Sequence, residues 1–258
     1  MRTPALILIF AAAPLLRSQN GQQTSRPGWP CVAGRAADPA YLDVSESTGG
    51  ELFLFQRSEA ARSLDVMMAS NGYKATILRV VGQLNGAREF EFPVDSTVSS
   101  LLIEASIQCR KDVLLLRPNG SEITATNATQ NIDFQAGRVI RVDGPEPGPW
   151  RVRLSGTGLV LLSVVAKSAI AISNVTLSQE TAEARLSGEV SGVKLQLVDA
   201  SGAPLSGTQP LEVADPGSYR AALTSPAQRL RVLVTGSDAS GWPFQRMYPI
   251  LFHVKQAK

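Results

Sequence analysis

Short stretches of apolar or alternating residues, separated by turn residues, fill the chain from residue 75 to its end. In the most regular one, Phe90, Phe92 and Val94 alternate with polar neighbours, as in a strand that buries one face. The predicted strands are residues 75–81, 89–94, 100–107, 113–117, 132–135, 139–142, 150–154 and 159–165, followed by residues 170–177, 184–190, 193–198, 219–223, 230–235 and 244–254. Many short strands at this spacing are typical of β-sandwiches. We therefore predict a mainly β fold with two consecutive sandwich domains, residues 74–168 and residues 169–258.

The second group has the length and strand number of an immunoglobulin-like or fibronectin III-like sandwich. The cysteine pair of a true immunoglobulin domain is missing from it. We predict an immunoglobulin-like β-sandwich without that disulfide.

Residues 38–73 show a different periodicity, which predicts a short helix–strand–helix segment over residues 39–47, 51–55 and 58–69. Asp38 followed by Pro39 is typical of a helix start, because Asp caps free N–H groups and Pro fits the first turn. In the second helix Met67 and Met68 lie at helical spacing from other apolar residues. We predict that both methionines belong to the core.

The N-terminus carries the features of a signal peptide. Residues 5–16 are apolar and follow Arg2, and this run is too short to cross a membrane as a helix. We predict that residues 1–18 are cleaved and that the polar residues 19–37 form a flexible leader. The mature chain would be secreted or held at the cell surface, in the periplasm or outside the cell if the source is bacterial, with no membrane span.

The composition of the chain excludes few functions, but its net charge and the placement of its basic residues argue against nucleic-acid binding. The chain is 44% hydrophobic and 18% charged, which suits a globular protein. Residues 1–18 hold two arginines and no acidic residue, so their removal lowers the formal net charge from +3 to +1. Because no basic run is interleaved with aromatic residues, we predict no nucleic-acid partner.

The two cysteines, Cys31 and Cys109, form an even pair. In an oxidising compartment such a pair suggests one disulfide, which would tie the leader to the first sandwich. Two buried free thiols are the alternative.

Catalytic and metal-binding signatures are weak throughout. The one histidine, His253, has no Gly-x-Ser-x-Gly nucleophile motif to serve. The two cysteines and His253 do not make a zinc ligand set. Residues 142–149 could bind calcium through oxygen atoms, but their prolines favour a rigid turn before Trp150. We predict no catalytic residues, no metal site and no cofactor.

Several stretches resemble, in order, the segment that follows the von Willebrand factor A domain in hemicentin-like extracellular proteins. They are residues 41–53, 90–103, 116–120, 148–152, 156–165 and 234–246. The most specific runs Thr-Gly-Ser-Asp-Ala-Ser-Gly-Trp-Pro-Phe-Gln-Arg, from Thr235 to Arg246, and is similar to the family's Thr-Gly-x-Asp-x-x-Gly-x-x-Phe-Gln-Arg.

The resemblance implies a jelly-roll or galactose-binding-like first sandwich and an extracellular adhesion or surface-assembly role. Residues 38–73 resemble only the last helix–strand–helix of the A domain. The body of that domain, with its metal site, is missing, so the resemblance does not imply metal-dependent ligand binding. Asp43, Ser45 and Ser47 match the Asp-x-Ser-x-Ser metal signature, but no long apolar strand precedes them, and we predict no metal there.

The leading functional hypothesis is a non-catalytic binding or structural module with an extracellular or cell-surface protein as its partner. Trp242, Phe244 and Arg246 are the candidate contact surface; the alternative is that Trp242 and Phe244 plug the end of the sandwich. A carbohydrate-binding module with a glycan ligand and an accessory subunit of a secreted enzyme are the competing hypotheses, since fold alone does not decide function.

Overall fold

The computed structural model describes residues 7–10, 38–178, 181–206, 209–222 and 229–253. Its helices are α1 (Pro39–Thr48), a 3₁₀ helix (Arg57–Arg62) and α2 (Ser63–Ser70). Its strands are β1 (Ile7–Phe10), β2 (Leu52–Phe55), β3 (Ala75–Val94), β4 (Val98–Leu116), β5 (Gln130–Asp133), β6 (Gly137–Asp143), β7 (Gly148–Ser168), β8 (Ile172–Leu177), β9 (Thr181–Leu186), β10 (Val190–Val198), β11 (Gln209–Pro210), β12 (Glu212–Asp215), β13 (Ser218–Ala222), β14 (Arg229–Asp238), β15 (Pro243–Met247) and β16 (Phe252–His253). The predicted mainly β fold class is confirmed.

The first half of the chain forms one antiparallel sheet in the order β3-β7-β4-β6-β5. Three of its strands are unusually long: β3 has 20 residues, β4 has 19 and β7 has 21. Each of them joins two of the predicted short strands into one. The two ends of these long strands share a single core, in which Phe92 and Trp150 from one end meet Ile103 and Val164 from the other.

The sheet bends onto itself because the pairing of its long strands β4 and β7 contains β-bulges near the middle of the strands. The β4–β7 register shifts between Ile107 and Cys109 and again between Arg110 and Asp112. Such bulges bend and twist a strand without ending it. Gly156 of β7 lies at this bend with φ of 152°, and a Cβ there would come within 2.4 Å of the Cys109 carbonyl oxygen. Gly156 therefore marks a bend within one continuous strand, between two of the predicted short strands.

Residues 38–73 cover the outer face of this sheet. The predicted helix start is confirmed, since the Asp38 carboxylate accepts a hydrogen bond from the Ala40 N–H at 2.9 Å. Phe53 and Phe55 of β2 pack against Phe134, with ring centroids 5.3 and 5.1 Å apart. The outer-face side chains in the same cluster are Leu102, Ile132, Phe134, Val139 and Val165.

Strand β2 is paired with β1 alone among the described strands. The pairing is parallel, from Ile7 opposite Leu52 to Phe10 opposite Phe55. Residues 7–10 belong to the predicted signal peptide, whose cleavage stays a prediction. The predicted leader, residues 19–37, lies outside the described residues.

The second half of the chain is a sandwich of two sheets. One has the order β11-β10-β14-β15, with β16 also paired to β14, and the other has the order β12-β13-β9-β8. Leu195, Val232 and Val234 from the first sheet share a core with Ala182 and Ala184 from the second.

The prediction that Met67 and Met68 belong to the core is wrong. Met67 is 39% exposed and Met68 is 74% exposed. Helix α2 instead buries Ser63, Val66 and Ala69. The smaller side chains face the sheet because they let the helix lie close to it, so the bulkier apolar side chains point away.

We expect Gly137→Ala to weaken the contact between β2 and the sheet. A Cβ at residue 137 would lie 2.5 Å from the Phe53 ring and 2.6 Å from the Ala105 carbonyl oxygen. Overpacking of this kind costs roughly 1–3 kcal/mol. The free energy of unfolding from urea denaturation measures the loss. Gly82→Ala is the matched control, because its Cβ would meet nothing closer than 3.8 Å. Equal stability of the two variants would contradict the packing described here.

Candidate functional site

The three predicted contact residues do not share one surface. Trp242 is 43% exposed, whereas Phe244 and Arg246 are each 1% exposed. Phe244 packs in the core of the second sandwich. The prediction of a contact surface is therefore wrong for Phe244 and Arg246. On β15 both residues fall on the face that the sheet buries, since residues two apart along a strand share a face.

Arg246 instead joins the second sandwich to the first. Its Nη2 donates to the Asp95 carboxylate at 2.7 Å and to the Ser168 hydroxyl at 2.6 Å, and its Nε donates to the Ile170 carbonyl at 2.8 Å. Asp95 is completely buried in the turn between β3 and β4. Burial lowers the pKa of Arg246, and the Asp95 carboxylate opposes that shift. The pair is a structural joint between the two halves of the chain.

A second tie lies next to this joint, in the turn that carries Trp242. The Asp238 carboxylate accepts from the backbone N–H groups of Ser240 and Trp242, at 2.9 and 2.8 Å. It also accepts from the hydroxyl and the N–H of Ser96 in the first half, at 2.6 and 2.9 Å. Although burial works against it, these hydrogen bonds, led by the Ser96 hydroxyl, leave the pKa of Asp238 below its ordinary value. Trp242 is thus held on a rigid turn with its side chain partly in solvent.

A larger group of buried charges, which we call the Glu46 cluster, joins α1 to both sandwiches. It consists of Glu46, Glu51, Arg79, Glu104 and Arg231.

Glu46 is the centre of this cluster. Its carboxylate pairs with Arg79 Nε at 3.2 Å and with Arg231 Nη2. Arg79 also donates to the Ser45 hydroxyl at 2.8 Å and to the Gly50 carbonyl at 2.6 Å. Burial lowers the pKa of Arg231 to about 10, against the opposing effect of Glu46. Ser45 of the rejected metal signature is therefore occupied by hydrogen bonds that hold α1 in place.

Glu104 lies on β4 at the edge of a small cavity lined by Glu51, Arg79 and Ser163. Glu104 is 5% exposed, and its Oε1 has no hydrogen-bond partner. Burial raises the pKa of Glu104 well above its ordinary value of 4.5, the nearby Glu51 raises it further, and Arg79 opposes both.

Sequence reasoning missed the Glu46 cluster, although one signal was present. Arg79, Glu104 and Arg231 each stand alone inside an otherwise apolar strand. A charge at such a position is rarely buried unless it is paired. The sequence could therefore have predicted that these residues take part in buried ion pairs. It could not have shown which residue pairs with which.

A shallow hollow of about 510 Å³ lies between α1 and the second sandwich. Leu42, Val81 and Leu251 contribute apolar surface to it. At its rim Arg229 pairs with Asp43 at 3.0 Å, so that guanidinium is already neutralised.

Apolar side chains are exposed mainly on the helix–strand–helix segment. Leu64, Met67 and Met68 on α2 are 63%, 39% and 74% exposed, and Tyr41 and Val44 on α1 are each 46% exposed. Residues three and four apart on a helix are neighbours, so the three α2 side chains form one apolar face. An exposed apolar face of this kind is typical of an interaction site.

The remaining predicted positions are structural or lie outside the described residues. Cys109 lies on β4 near its bend, whereas Cys31 is not among the described residues, so the disulfide stays a prediction. Trp150 is buried, and its Nε1 donates to the Glu146 carbonyl at 2.9 Å, which fastens the indole to the turn that precedes it.

Within the described ranges, no group of three or more His, Cys, Asp or Glu side chains could hold a metal ion. No helix of those same ranges is long and apolar enough to cross a membrane.

We expect Arg246→Met to destabilise the folded chain by roughly 3–5 kcal/mol, because it leaves the Asp95 carboxylate buried and unpaired. Arg153→Met is the matched control: Arg153 also pairs with a carboxylate, that of Glu89 at 2.9 Å, but its side chain is 50% exposed. Exposed pairs contribute less than about 1 kcal/mol. Chemical denaturation measures both, and adding Asp95→Asn should recover part of the loss. A cost for Arg246→Met no larger than the control's would show that the joint is not structural.

We expect Glu104→Gln to change how stability depends on pH. In the folded chain Glu104 keeps its proton above pH 4.5, where the unfolded chain releases it, since burial raises its folded pKa. The folded state then binds more protons, so stability falls as pH rises from about 4.5 towards the folded pKa. The Gln variant lacks this loss and should gain stability relative to the parent between pH 4 and pH 8. Urea denaturation across that range measures the difference, and parallel pH profiles would disprove an ionisable role.

The part of the chain that matches a known protein family is the bent sheet. Residues 74–169 match the family model described as hemicentin galactose-binding domain-like. These bounds span β3 to β7, so the matched segment is the five-stranded sheet as a whole. The first sandwich is therefore galactose-binding-like and similar to the hemicentin domain over these residues. The resemblance to the von Willebrand factor A domain before it stays a prediction. No curated protein matches the chain.

Among solved structures, similarity is low. The chain is similar to a Bacillus licheniformis lipase in propeptide form, with 15% identity, a TM-score of 0.40, and coverage of 70% of this chain and 43% of that one. It is also similar to Bacteroides uniformis β-glucuronidase 3, with 8% identity, a TM-score of 0.23, and coverage of 66% and 27%. A β-1,2-glucanase from Parabacteroides distasonis has 7% identity, a TM-score of 0.20, and coverage of 72% and 38%. The chain thus spans less than half the length of each, and scores this low say nothing about its activity.

Proposed function

We propose that this chain is an exported, non-catalytic module that binds a protein partner at the cell surface or outside the cell, in an adhesion or surface-assembly role. The observation that carries the proposal is the match of residues 74–169 to the hemicentin galactose-binding domain-like family. Hemicentin-like domains come from extracellular proteins, which agrees with the signal peptide predicted over residues 1–18.

The positions of the charged side chains support a role without turnover. A general base or a nucleophile must reach a substrate. Glu46 and Asp95 are instead buried and paired with arginines from other parts of the fold. Glu51, which is partly exposed, is held by Arg79 and by the Ser163 hydroxyl at 3.0 Å. These carboxylates hold parts of the chain together, and none is left poised to transfer a proton.

The exposed apolar face of α2 supports a protein partner. Leu64, Met67 and Met68 present flexible apolar side chains to solvent, and methionine adapts readily to the shape of a bound surface. Burying such side chains in an interface is favourable by roughly 1.5–3 kcal/mol each.

A glycan ligand is the second candidate, because Trp242 is exposed on a rigid turn. Its backbone is fixed through Asp238, and its ring is partly free to stack on another surface. Trp150, by contrast, is completely buried and is not available to a ligand.

A binding screen with matched variants tests the proposal. The protein would be expressed from its full gene in an exporting host and screened against extracellular-matrix proteins and a glycan array, with calcium and with chelator. The double variant Leu64→Glu/Met68→Glu should weaken binding to a protein ligand at least ~10-fold, as loss of central apolar contacts does. Val213→Glu changes an equally exposed residue on β12 and should leave binding within ~2-fold.

The other outcomes decide between the candidates. Binding confined to one glycan class and abolished by Trp242→Ala would replace the protein partner with a sugar. Hydrolysis of ester or glycoside substrates by the purified protein, lost in Glu51→Gln, would overturn the non-catalytic role. Absence of any saturable ligand would overturn the binding role.

A further inference from the structure

We propose that, once the signal peptide is removed, the free edge of β2 binds an apolar, extended segment of a partner protein in parallel orientation. The segment would take the place that residues 7–10 occupy in this structure. This inference rests on the proposed export of the chain, and it identifies the class of partner.

The first argument is the way in which β2 is paired. Its backbone forms a parallel ladder with residues 7–10 over four consecutive positions, Ile7 to Phe10 opposite Leu52 to Phe55. Among the described strands it has no other partner, so β2 and β1 form a sheet of their own. The edge of β2 is therefore shaped to accept a parallel strand, and whatever removes residues 7–10 opens it.

The second argument is which backbone groups would be left without partners. The Leu54 N–H donates to the Ser106 hydroxyl at 3.2 Å, so it points away from β1. In a strand the N–H and C=O groups of successive residues point to opposite sides. The backbone groups of Phe53 and Phe55 therefore point toward β1. An unpaired row of such groups on an edge strand is a template for another chain.

The third argument is the chemistry of the site. Strand β2 buries side chains on both faces: Phe53 and Phe55 pack on one side, and Leu52 and Leu54 on the other. Strands that are apolar on both faces are typical of the interior of parallel sheets. Residues 7–10 have the sequence Ile-Leu-Ile-Phe, which is apolar throughout. The occupant is therefore an apolar strand, bound by main-chain hydrogen bonds as in β-strand addition.

The occupant must come from a different protein. Residues 7–10 lie within the predicted signal peptide, so every exported copy would lose the same segment. A second copy of the exported chain therefore has no such strand to donate. The proposal commits to an extended apolar segment of another exported or surface protein.

A soluble peptide of residues 5–12, flanked by lysines, is the probe. Fluorescence anisotropy should show saturable binding to the exported protein whose N-terminus, determined by mass spectrometry, lies beyond residue 10. The full-length precursor purified from cytosol keeps residues 7–10 and is the matched control. It should not bind the peptide, because its own segment fills the site at a high effective concentration.

Backbone methylation of the peptide tests the geometry. Because Leu54 points away, Ile9 opposite it must direct its N–H at β2, while the Leu8 N–H points outward. N-methylation at Ile9 should weaken binding at least ~10-fold, the equivalent of one lost hydrogen bond. N-methylation at Leu8 should leave binding within ~3-fold.

Hydrogen exchange provides the site-specific readout. Addition of the peptide to the exported protein should slow exchange at the Phe53 and Phe55 amides, while the Leu54 amide, bonded to Ser106, should stay unchanged. An exported protein that retains residues 7–10 overturns the inference. So does one whose Phe53 amide is already protected without peptide, since another part of the chain then covers the edge. If a ligand from the binding screen leaves the Phe53 and Phe55 amides unprotected, the binding role stands and only the β2 site is wrong.

Discussion

The Glu46 carboxylate pairs with two guanidinium groups from different parts of the fold, Arg79 of the first sheet and Arg231 of the second sandwich. A charge removed from water costs several kcal/mol unless its partners compensate for it. Displacing α1, the sheet or the second sandwich would leave one of these charges buried and alone. Apolar surfaces can slide over one another at little cost, whereas this arrangement has one relative position that pairs every charge. The Arg246–Asp95 joint acts in the same way at the other side of the contact between the sandwiches.

The shape of the bent sheet explains why the segment of residues 38–73 must be held against it. Once β3, β4, β6 and β7 have closed on their own core, their outer face still carries Leu102, Val139 and Val165. That apolar area requires a cover, which β2 and α2 supply. Two polar residues on the same outer face hold the segment: the Ser106 hydroxyl accepts from the Leu54 N–H of β2, and the Ser163 hydroxyl donates to Glu51. The outer face thus combines apolar area, which drives the cover onto the sheet, with polar groups that fix its register.

The sequence alone predicted most of the local secondary structure. It did not predict how the strands continue into one another or which distant residues pair. Alternation and turn residues located nearly every strand, and Asp38 with Pro39 marked the start of α1. The long strands were predicted as two short strands each, because a glycine with positive φ, such as Gly156, looks the same in sequence whether the strand ends or bends there. Met67 and Met68 were misplaced because α2 is apolar over most of its circumference, so that periodicity could not show which face packs. The partners of Arg246 and Arg231 lie about 150 and 185 residues away along the chain, and no local pattern identifies pairs at such distances.

These features together separate the rigid part of the chain from the part available for binding. The buried ion pairs fix the two sandwiches and α1 relative to one another. Exposed apolar side chains lie mainly on the helix–strand–helix segment, above all at the α2 face of Leu64, Met67 and Met68. The edge of β2 is covered by residues 7–10 in this structure, and we propose that it becomes available when they are removed. A rigid support lowers the entropy cost of binding, since little has to be ordered when a partner arrives. A cover that is fixed by charge on its inner side and left apolar on its outer side therefore suits the proposed recognition of another chain.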